Sequence, residues 1–399
     1  MKKFTFLFFA VMIFASCCCK EKNTEKPIMA VIDESMEHAV KQSLFMAGTI
    51  DGMEGRLPKT IDKYGKLVTS DSHWWCSGFF PGVLWYLYEY SGDPDLKNYA
   101  EKITARVERE KYTTTDHDVG FMLNCSFGNG LRIDSIESYK EVLLTGARSL
   151  STRFNKTVGT TRSWDWNKNV WDFPVIIDNL MNLELLMWAF KESGDSMFYD
   201  IAVSHADVTI KNHFRDDYSS WHLISYDTIT GQPAIKQTNQ GYSDDSAWAR
   251  GTSWSLYGYT MMYRETGLER YLEQAKGIAG FILNHPNMPD DYIPYWDFNA
   301  PDQPNCYRDA SAAAIISSAL IELSQYDKAN SKKYLDVAEK QIRVLSSDEY
   351  TAPIGTNGGF ILKHSVGSLP GNTEINVPLT YADYYYLEAM MRLRELLKN

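Results

Sequence analysis

Four times along the chain a short turn leads into a segment carrying Tyr and then Ala: SGDPDLKNYA (91–100), SGDSMFYDIA (193–202), TGLERYLEQA (266–275) and ANSKKYLDVA (329–338). Three of these turns hold a Gly, which suits the reversal after a helix, and Asp93 and Asp195 stand where an N-cap is wanted. Each copy therefore joins two antiparallel helices. Around them, apolar residues recur at three- and four-residue spacing in roughly twelve segments. They lie near 34–50, 78–91, 94–109, 118–131, 135–153, 175–193, 196–213, 246–266, 268–284, 308–326, 331–346 and 379–397. Alternating strand-like runs are scarce, Phe360-Ile361-Leu362 being one short exception. This pattern predicts an all-α single domain. Twelve helices in six hairpins close into a ring, an (α/α)6 toroid with one helix of each pair inside. An open helical solenoid is the alternative. The irregular repeats and the long aromatic-rich loops (54–76, 155–174, 214–245, 285–307, 348–378) favour the ring, in which those loops would line one mouth and build a pocket.

The N-terminus speaks to compartment. Lys2 and Lys3 precede an apolar run from Phe4 to Ala15, too short to span a bilayer and fitted to a signal-peptide core. The run ends at Phe14-Ala15-Ser16-Cys17, which resembles a bacterial lipoprotein cleavage box with Cys17 as the lipidated residue; an ordinary secretory signal is the alternative. The expected organisation is a lipoprotein signal at 1–16, a lipidated Cys17 with a polar tether to residue 30, and a catalytic domain over 31–399. The protein would be exported and held at the outer membrane by its lipid alone, facing the periplasm or the cell surface. Removing residues 1–16 takes away two of the 40 Lys and Arg and none of the 51 Asp and Glu, so the mature chain carries −13. With that charge and no long basic run, nucleic acid is excluded as a partner. A long polyanion is disfavoured too, whereas a short anionic ligand needs only one or two local cations. Cys18 and Cys19 would sit beside the lipid. Cys76, Cys125 and Cys306 are odd in number and widely spaced, which predicts buried free thiols and no disulfide framework or zinc site.

No serine elbow, phosphate loop or metal-ligand cluster is visible, and neither metal nor cofactor is expected. The chain has 11 Trp and 25 Tyr, which suit sugar faces as well as cores. Polar residues gather instead where loops meet helices. In TSDSHWWCSGFFPGVLW (69–85), Trp74 and Trp75 precede a helix start. In TTTDHDVGFM (113–122), Asp116 or Asp118 is placed to cap a helix, where the dipole favours an anion. In NVWDFPVIIDNLMNLELLMWAF (169–190), Asp178 falls within an apolar helical pattern beside Ile176, Ile177, Leu180 and Met181. A carboxylate there is costly to bury unless paired or protonated. It faces a pocket or caps a kink; in a pocket, burial raises its pKa and makes it a usable acid near neutral pH. The stretch 221–259 carries His222, Gln240, Asp244, Asp245, Arg250 and Trp254. Arg250 and Trp254, four apart, share a helical face, and Asp244 or Asp245 is placed to N-cap a helix over 246–266. Finally, the Ser/Gly/Pro-rich loop of 363–378 precedes a Tyr-rich last helix and is suited to close over the mouth.

Taken in order, HDVGF, IIDNLMNLELL, NQGYSDDSAWARG and INVPLTYADYYYLEA resemble the unsaturated glucuronyl hydrolases of glycoside hydrolase family 88, from about Trp75 to the last helix. The resemblance implies the same toroid and a hydrolase acting on a lyase-generated oligosaccharide. Its terminal uronic acid carries a C4=C5 double bond, which the enzyme hydrates. Water adds at C5 and a proton at C4, the hemiketal opens, and the glycosidic link breaks. By motif, Asp178 matches the family's acid and base. Asp118 matches its second Asp, whose charge would hold the proton on Asp178 and steady positive charge at C5. Trp75 and Trp254 would hold the unsaturated ring; His117, His222, Gln240 and Arg250 its hydroxyls and carboxylate; and Trp164 the next sugar. Ser365 and Ser368 match a Ser-x-x-Ser that meets sulfate in some members, but the Lys that follows there is missing here. That speaks against a strong sulfate preference and leaves hyaluronan-, chondroitin- and heparin-derived disaccharides open. Three other readings stand beside this one: an unsaturated rhamnogalacturonyl hydrolase, a conventional inverting glycosidase using both Asp, and an inactive sugar-binding lipoprotein.

Overall fold

The computed structural model describes Met1 and residues 25–398. The expected signal peptide, Cys17 to Cys19 and most of the tether lie outside the described residues. Helices run in the order α1 (Ile28–Ile50), α2 (Phe79–Ser91), α3 (Pro94–Thr104), α4 (Val119–Leu123), α5 (Asn129–Asp134), α6 (Ser138–Ser151) and α7 (Leu183–Ser193). They continue with α8 (Ser196–His213), α9 (Ala249–Thr266), α10 (Glu269–Asn284), α11 (Ala310–Leu323), α12 (Ser331–Leu345) and α13 (Thr380–Lys398). A π-helical turn, Asn124–Gly128, joins α4 to α5 as one bent helix. α1 starts at Ile28 after Pro27, so the last residues of the expected tether already belong to the fold.

Odd and even hairpin partners separate by burial. All of α11 and nearly all of the first two-thirds of α9 and α13 are buried, whereas α3, α6, α10 and α12 bury one face. The buried set, α2, α4–α5, α7, α9, α11 and α13, forms the inner ring, and the other helices wrap it. α13 packs against both α11 and α2, which closes the circle and rules out the open solenoid. This is an (α/α)6 barrel.

The repeat noted in the sequence marks the inner-to-outer turns. Gly92, Gly194 and Gly267 are left-handed (φ 69°, 73° and 67°) and their N–H groups close the preceding helix, a conformation Gly adopts without steric cost. Asp93 and Asp195 cap the next helix, accepting from the N–H of Asp95 at 2.8 Å and Met197 at 3.0 Å. These short turns lie at one end of the barrel. Every outer-to-inner connection is longer and lies at the other end. There the chain forms short antiparallel strands that the sequence reading passed over: β1 (Leu57–Ile61) with β2 (Leu67–Ser70), β3 (Phe154–Asn155) with β4 (Thr160–Thr161), the sheet β5 (Phe173–Ile176), β6 (Leu223–Tyr226) and β7 (Pro233–Gln237), and β8 (Ser365–Ser368) with β9 (Thr373–Val377). Phe360-Ile361-Leu362 is not one of them; it makes a single bridge, Leu362 to Thr351, and its N–H groups at 361 and 362 donate to Asp383. An aromatic cluster of Phe79, Phe121, Trp254 and Tyr385 fills the axis and forms the floor of the loop-lined mouth.

Candidate active site

Asp178 is not inside a helix, as its apolar neighbours suggested. β5 ends at Ile176, and the chain turns through a 3-10 segment, Ile177–Asn182, before α7 begins. The β5–β6 ladder pairs Ile176 with Leu223, and Ile177 N–H donates to His222 O at 3.0 Å. That register sets the side chains of Asp178 and His222 face to face, His222 Nε2 lying 3.7 Å from Asp178 Oδ2. The imidazole's other nitrogen, Nδ1, accepts from the N–H of Asn239 at 3.0 Å and of Gln240 at 3.2 Å. Two donors at Nδ1 leave the ring proton on Nε2, pointing at the carboxyl. Burial pushes the His222 pKa down to about 3, so the ring is neutral.

Asp118 arrives from a different wall. The segment before α4 is pinned by His117 N–H to Ser163 O at 2.9 Å and by a bridge between Asp116 and Trp164. Asp118 stands at the N-cap position of α4 without capping it. Instead its own N–H donates to Asp116 Oδ1 at 3.0 Å, and its Oδ1 lies 3.3 Å from His117 Nε2. α4 then presses onto the Asp178 turn. Phe121 N–H donates to Asn182 Oδ1 at 2.8 Å, and a Cβ at Gly120 would fall 2.6 Å from Asn182 Cα. Only Gly permits that approach, and the approach brings the two carboxyls into one site.

Burial pushes Asp178 up to about 7, against the pull of the Arg250 charge. Asp118 is raised well above the usual carboxylate range by burial first, then by the charges of Asp116 and Asp178. Burial is the first cause of both shifts, as expected for Asp178, and the like charges of Asp116 and Asp178 add to it at Asp118. The pair is a coupled unit that keeps a proton near neutral pH.

The other expected residues assemble around this pair in different ways. Trp75 is half-buried, its ring 4.8 Å from Tyr381 and 5.6 Å from Phe121. Trp254 is fully buried in the floor, so it backs the site instead of offering an open stacking face. Arg250 is 1% exposed, and its guanidinium is already engaged: Nη1 donates to Asp309 Oδ2 at 3.2 Å and to Val366 O, and Nη2 to Gly367 O at 2.6 Å. Gln240 Nε2 donates to the same Gly367 carbonyl at 3.1 Å. Both side chains hold the β8–β9 hairpin over the mouth. In that hairpin Ser365 is buried with an unbonded hydroxyl, and Ser368 Oγ accepts from Gly371 N–H at 3.2 Å. Trp164 is stacked under Trp166 (4.7 Å, 10°), so the open indole face in this loop is that of Trp166, 52% exposed. Asp244 and Asp245 cap nothing: α9 begins at Ala249, and Asp244 Oδ1 accepts from Thr238 N–H at 2.9 Å. Cys76, Cys125 and Cys306 are free, Cys306 being only half-buried.

The sequence reading missed Arg153, Asn179, Asn182, Trp166 and Tyr381. The two Asn carry the same signal as Asp178, polar groups inside an apolar run, and both are fully buried. Arg153 has no such signal. It lies just past the end of α6 and holds Thr114 O and Asp165, and its charge reaches Asp116 and Asp118. Among the described residues no cluster of His, Cys, Asp and Glu could hold a metal. Buried polar atoms without a hydrogen bond gather here instead: Asp178 Oδ2, His222 Nε2, His117 Nδ1, Trp254 Nε1, Arg250 Nε and Trp164 Nε1. Such atoms are rare in a folded chain and their convergence is what a polyhydroxyl ligand requires.

Known proteins match this chain along most of its length. It is 50% identical over 324 residues (81% of this chain, 80% of the relative) to an unsaturated glucuronyl hydrolase of Formosa agariphila. It is 35% identical over 342 residues (84% and 85%) to an unsaturated chondroitin disaccharide hydrolase of Streptococcus pneumoniae. The crystal structure of an unsaturated glucuronyl hydrolase specific for heparin superposes with a TM-score of 0.90 at 49% identity, covering 93% of this chain and 98% of the other. That of the enzyme from Bacillus sp. GL1 gives 0.83 at 30%, covering 90% and 96%. The sequence model of Glycosyl Hydrolase Family 88 matches residues 49–395, which take in the inner ring, the mouth loops and both carboxyls. The chain belongs to glycosyl hydrolase family 88.

Proposed function

We propose that this chain releases the terminal 4,5-unsaturated uronic acid from lyase-generated glycosaminoglycan oligosaccharides by hydrating the C4=C5 bond. The observation that carries the reading is Asp178: a buried carboxyl whose pKa of about 7 leaves it protonated at rest, with Oδ2 unbonded beside a second carboxyl. Protonating an enol ether at C4 needs such an acid. Asp178 gives its proton to C4, positive charge grows at C5 and the ring oxygen, and Asp118 stabilises it. Asp178, now a carboxylate, takes a proton from the water that bonds to C5. The hemiketal opens and the glycosidic bond parts. His222, neutral, faces Asp178 Oδ2 across 3.7 Å without bonding it, and His117 Nε2 stands 3.3 Å from Asp118 Oδ1. Trp75 supports the flat ring, and Trp166, with Trp164 behind it, receives the next sugar.

Loss of the double bond's ultraviolet absorbance during turnover is the test. Retained absorbance with cleavage of saturated glycosides would make the chain a conventional glycosidase. Asp178→Asn is expected to lower kcat by roughly three orders of magnitude or more while binding survives; unchanged turnover removes Asp178 from the mechanism. The lipid anchor belongs to this proposal as well. The cleavage box before Cys17 supports export and an outer-membrane lipoprotein, and Cys17→Ser should move the protein from the membrane fraction to the soluble one.

A further inference from the structure

The 3-10 turn Ile177–Asn182 that carries Asp178 holds two further polar side chains, Asn179 and Asn182, both wholly buried. They stand three residues apart, and in a 3-10 turn such side chains eclipse, so the two amides share a face. Asn182 occupies the N-cap position of α7 but caps nothing there. Its Oδ1 instead accepts from the Phe121 N–H of α4 at 2.8 Å. A backbone N–H meets the amide's oxygen and not its nitrogen, so this contact fixes which way the amide faces. Nδ2, buried on the other side, makes no well-formed hydrogen bond. Asp118 is the carboxyl within its reach. Burial, then the charges of Asp116 and Asp178, push the Asp118 pKa up, while the Arg153 charge and the Asn182 amide draw it down. Asn179 repeats the arrangement one turn earlier. Its Nδ2 donates to Thr161 O at 2.7 Å, which leaves Oδ1 to the His117 ring beside Asp118.

Resting on the reaction proposed above, we propose that Asn182 is a positioning residue: its Nδ2–H holds Asp118 as an anion, turned toward the carbon where positive charge grows. The Phe121 N–H accounts for the amide's oxygen, and a partner at Asp118 accounts for its nitrogen, which is costly to bury unused. The two carboxyls have opposite needs, since Asp178 must enter the cycle protonated and Asp118 ionised within one dry site. The titratable and charged groups around Asp118 are His117 and Asp116 on its own segment, Arg153 past α6, Asp178 on the 3-10 turn and the Cys76 thiol before α2. Arg153 is the cation among them, and its guanidinium is taken up by Thr114 O and Asp165. A hydrogen bond to the charged form favours that form. An amide supplies it without a positive charge that would also strip the proton from Asp178. One short turn thus carries the acid and, on its next face, the donor that sets the charge of the acid's partner.

The test compares Asn182→Ala with Asn182→Ser in the full chain, two variants of nearly equal size. Only the second keeps a hydroxyl that can accept from the Phe121 N–H and donate to Asp118. Their pH–rate profiles are followed by loss of the double bond's absorbance. Asn182→Ala should move the acidic limb to higher pH by about half a unit or more, opposite to the effect of removing the Asp116 charge. It should lower kcat about tenfold or more and leave KM within about twofold. Asn182→Ser should recover part of the lost kcat and of the shift. An unmoved limb overturns the proposal, as do kcat and KM that change together and alike in both variants. If Asn182→Ala does not fold, the parent carrying isotopically labelled asparagine decides. A side-chain amide signal should then titrate along the acidic limb and cease to do so in Asp118→Asn, and the lack of such a signal overturns the proposal. A parent that leaves the double bond intact overturns the reaction and this role with it, whereas turnover with an unmoved limb overturns the role alone.

Discussion

At the scale of single residues, the chemistry and the stability of this protein pull on the same carboxyl. Asp178 has an ordinary pKa near 3.8 when unfolded and about 7 in the fold. The folded chain therefore holds a proton that the unfolded chain gives up, so stability falls as pH rises from about 4 to about 7 and is level above that. The full loss is on the order of 4 kcal/mol. Asp178→Asn removes it. The variant should melt higher than the parent at about pH 8, and its advantage should shrink by more than half at about pH 5. Asp383, also buried and raised to about 7, titrates in the same window, so only the difference between variant and parent isolates Asp178. An advantage that does not change with pH would mean Asp178 is ionised in the fold. Activity should follow the same group, falling above about pH 7 as the acid loses its proton. Asp116 tunes the partner. Its charge raises the pKa of Asp118, which must be ionised to steady the charge at C5, so Asp116→Asn, which preserves the acceptor for the Asp118 N–H, should move the acidic limb of the pH–rate profile to lower pH. An unmoved limb would show that Asp118 does not feel that charge.

At the scale of elements, the sequence was legible where one face of a segment is wet and ambiguous where both are dry. α3, α8, α10 and α12 show helical periodicity, and the Gly turns before α3, α8 and α10 and the Asp caps of α3 and α8 fall where expected. Residues 173–182 are buried throughout, so strand, 3-10 turn and helix all present the same apolar run, and spacing cannot separate them. Asp178 was still found, because a charge among apolar neighbours needs a reason whatever the backbone does. Asp118 was reached by resemblance, since a loop Asp before a helix reads first as a cap. What neither spacing nor propensity revealed is the contact that joins them, Gly120 against Asn182. Gly120→Ala forces α4 away from the Asp178 turn. We expect a stability loss of about 1–3 kcal/mol together with a fall in kcat larger than the loss of folded protein explains. Wild-type kcat in the folded variant would show that the carboxyl pair tolerates this displacement.

At the scale of the whole molecule, the barrel separates catalysis from cohesion by its two ends. Long outer-to-inner connections build the mouth, and short Gly turns close the opposite end, an asymmetry already visible in the spacing of the sequence repeat. Beneath those turns lies a cavity of about 810 Å³ lined by Glu184, Trp188, Arg264, Glu388 and Arg392 among others. Its charges are matched to one another. Arg264 reaches Glu184 on α7, Glu265 on α9 and Glu322 on α11, and Arg392 reaches Glu322 and Glu388. Three inner helices thus meet on one guanidinium, across the aromatic floor from Asp178. Arg264→Met keeps most of the stem and removes the charge, leaving Glu184 short of a cation, Glu265 with Lys191 alone and Glu322 with Arg392 alone. Because Glu322 is largely buried, the loss should be about 3 kcal/mol or more, which a thermal melt reads as a drop of several degrees. Because the floor between the two ends is a rigid aromatic stack, kcat and KM well below the melting point should stay within about twofold of the parent. A large change in kcat with little change in melting would mean that the far end communicates with the mouth, and the division of labour drawn from the barrel's two ends would have to be abandoned.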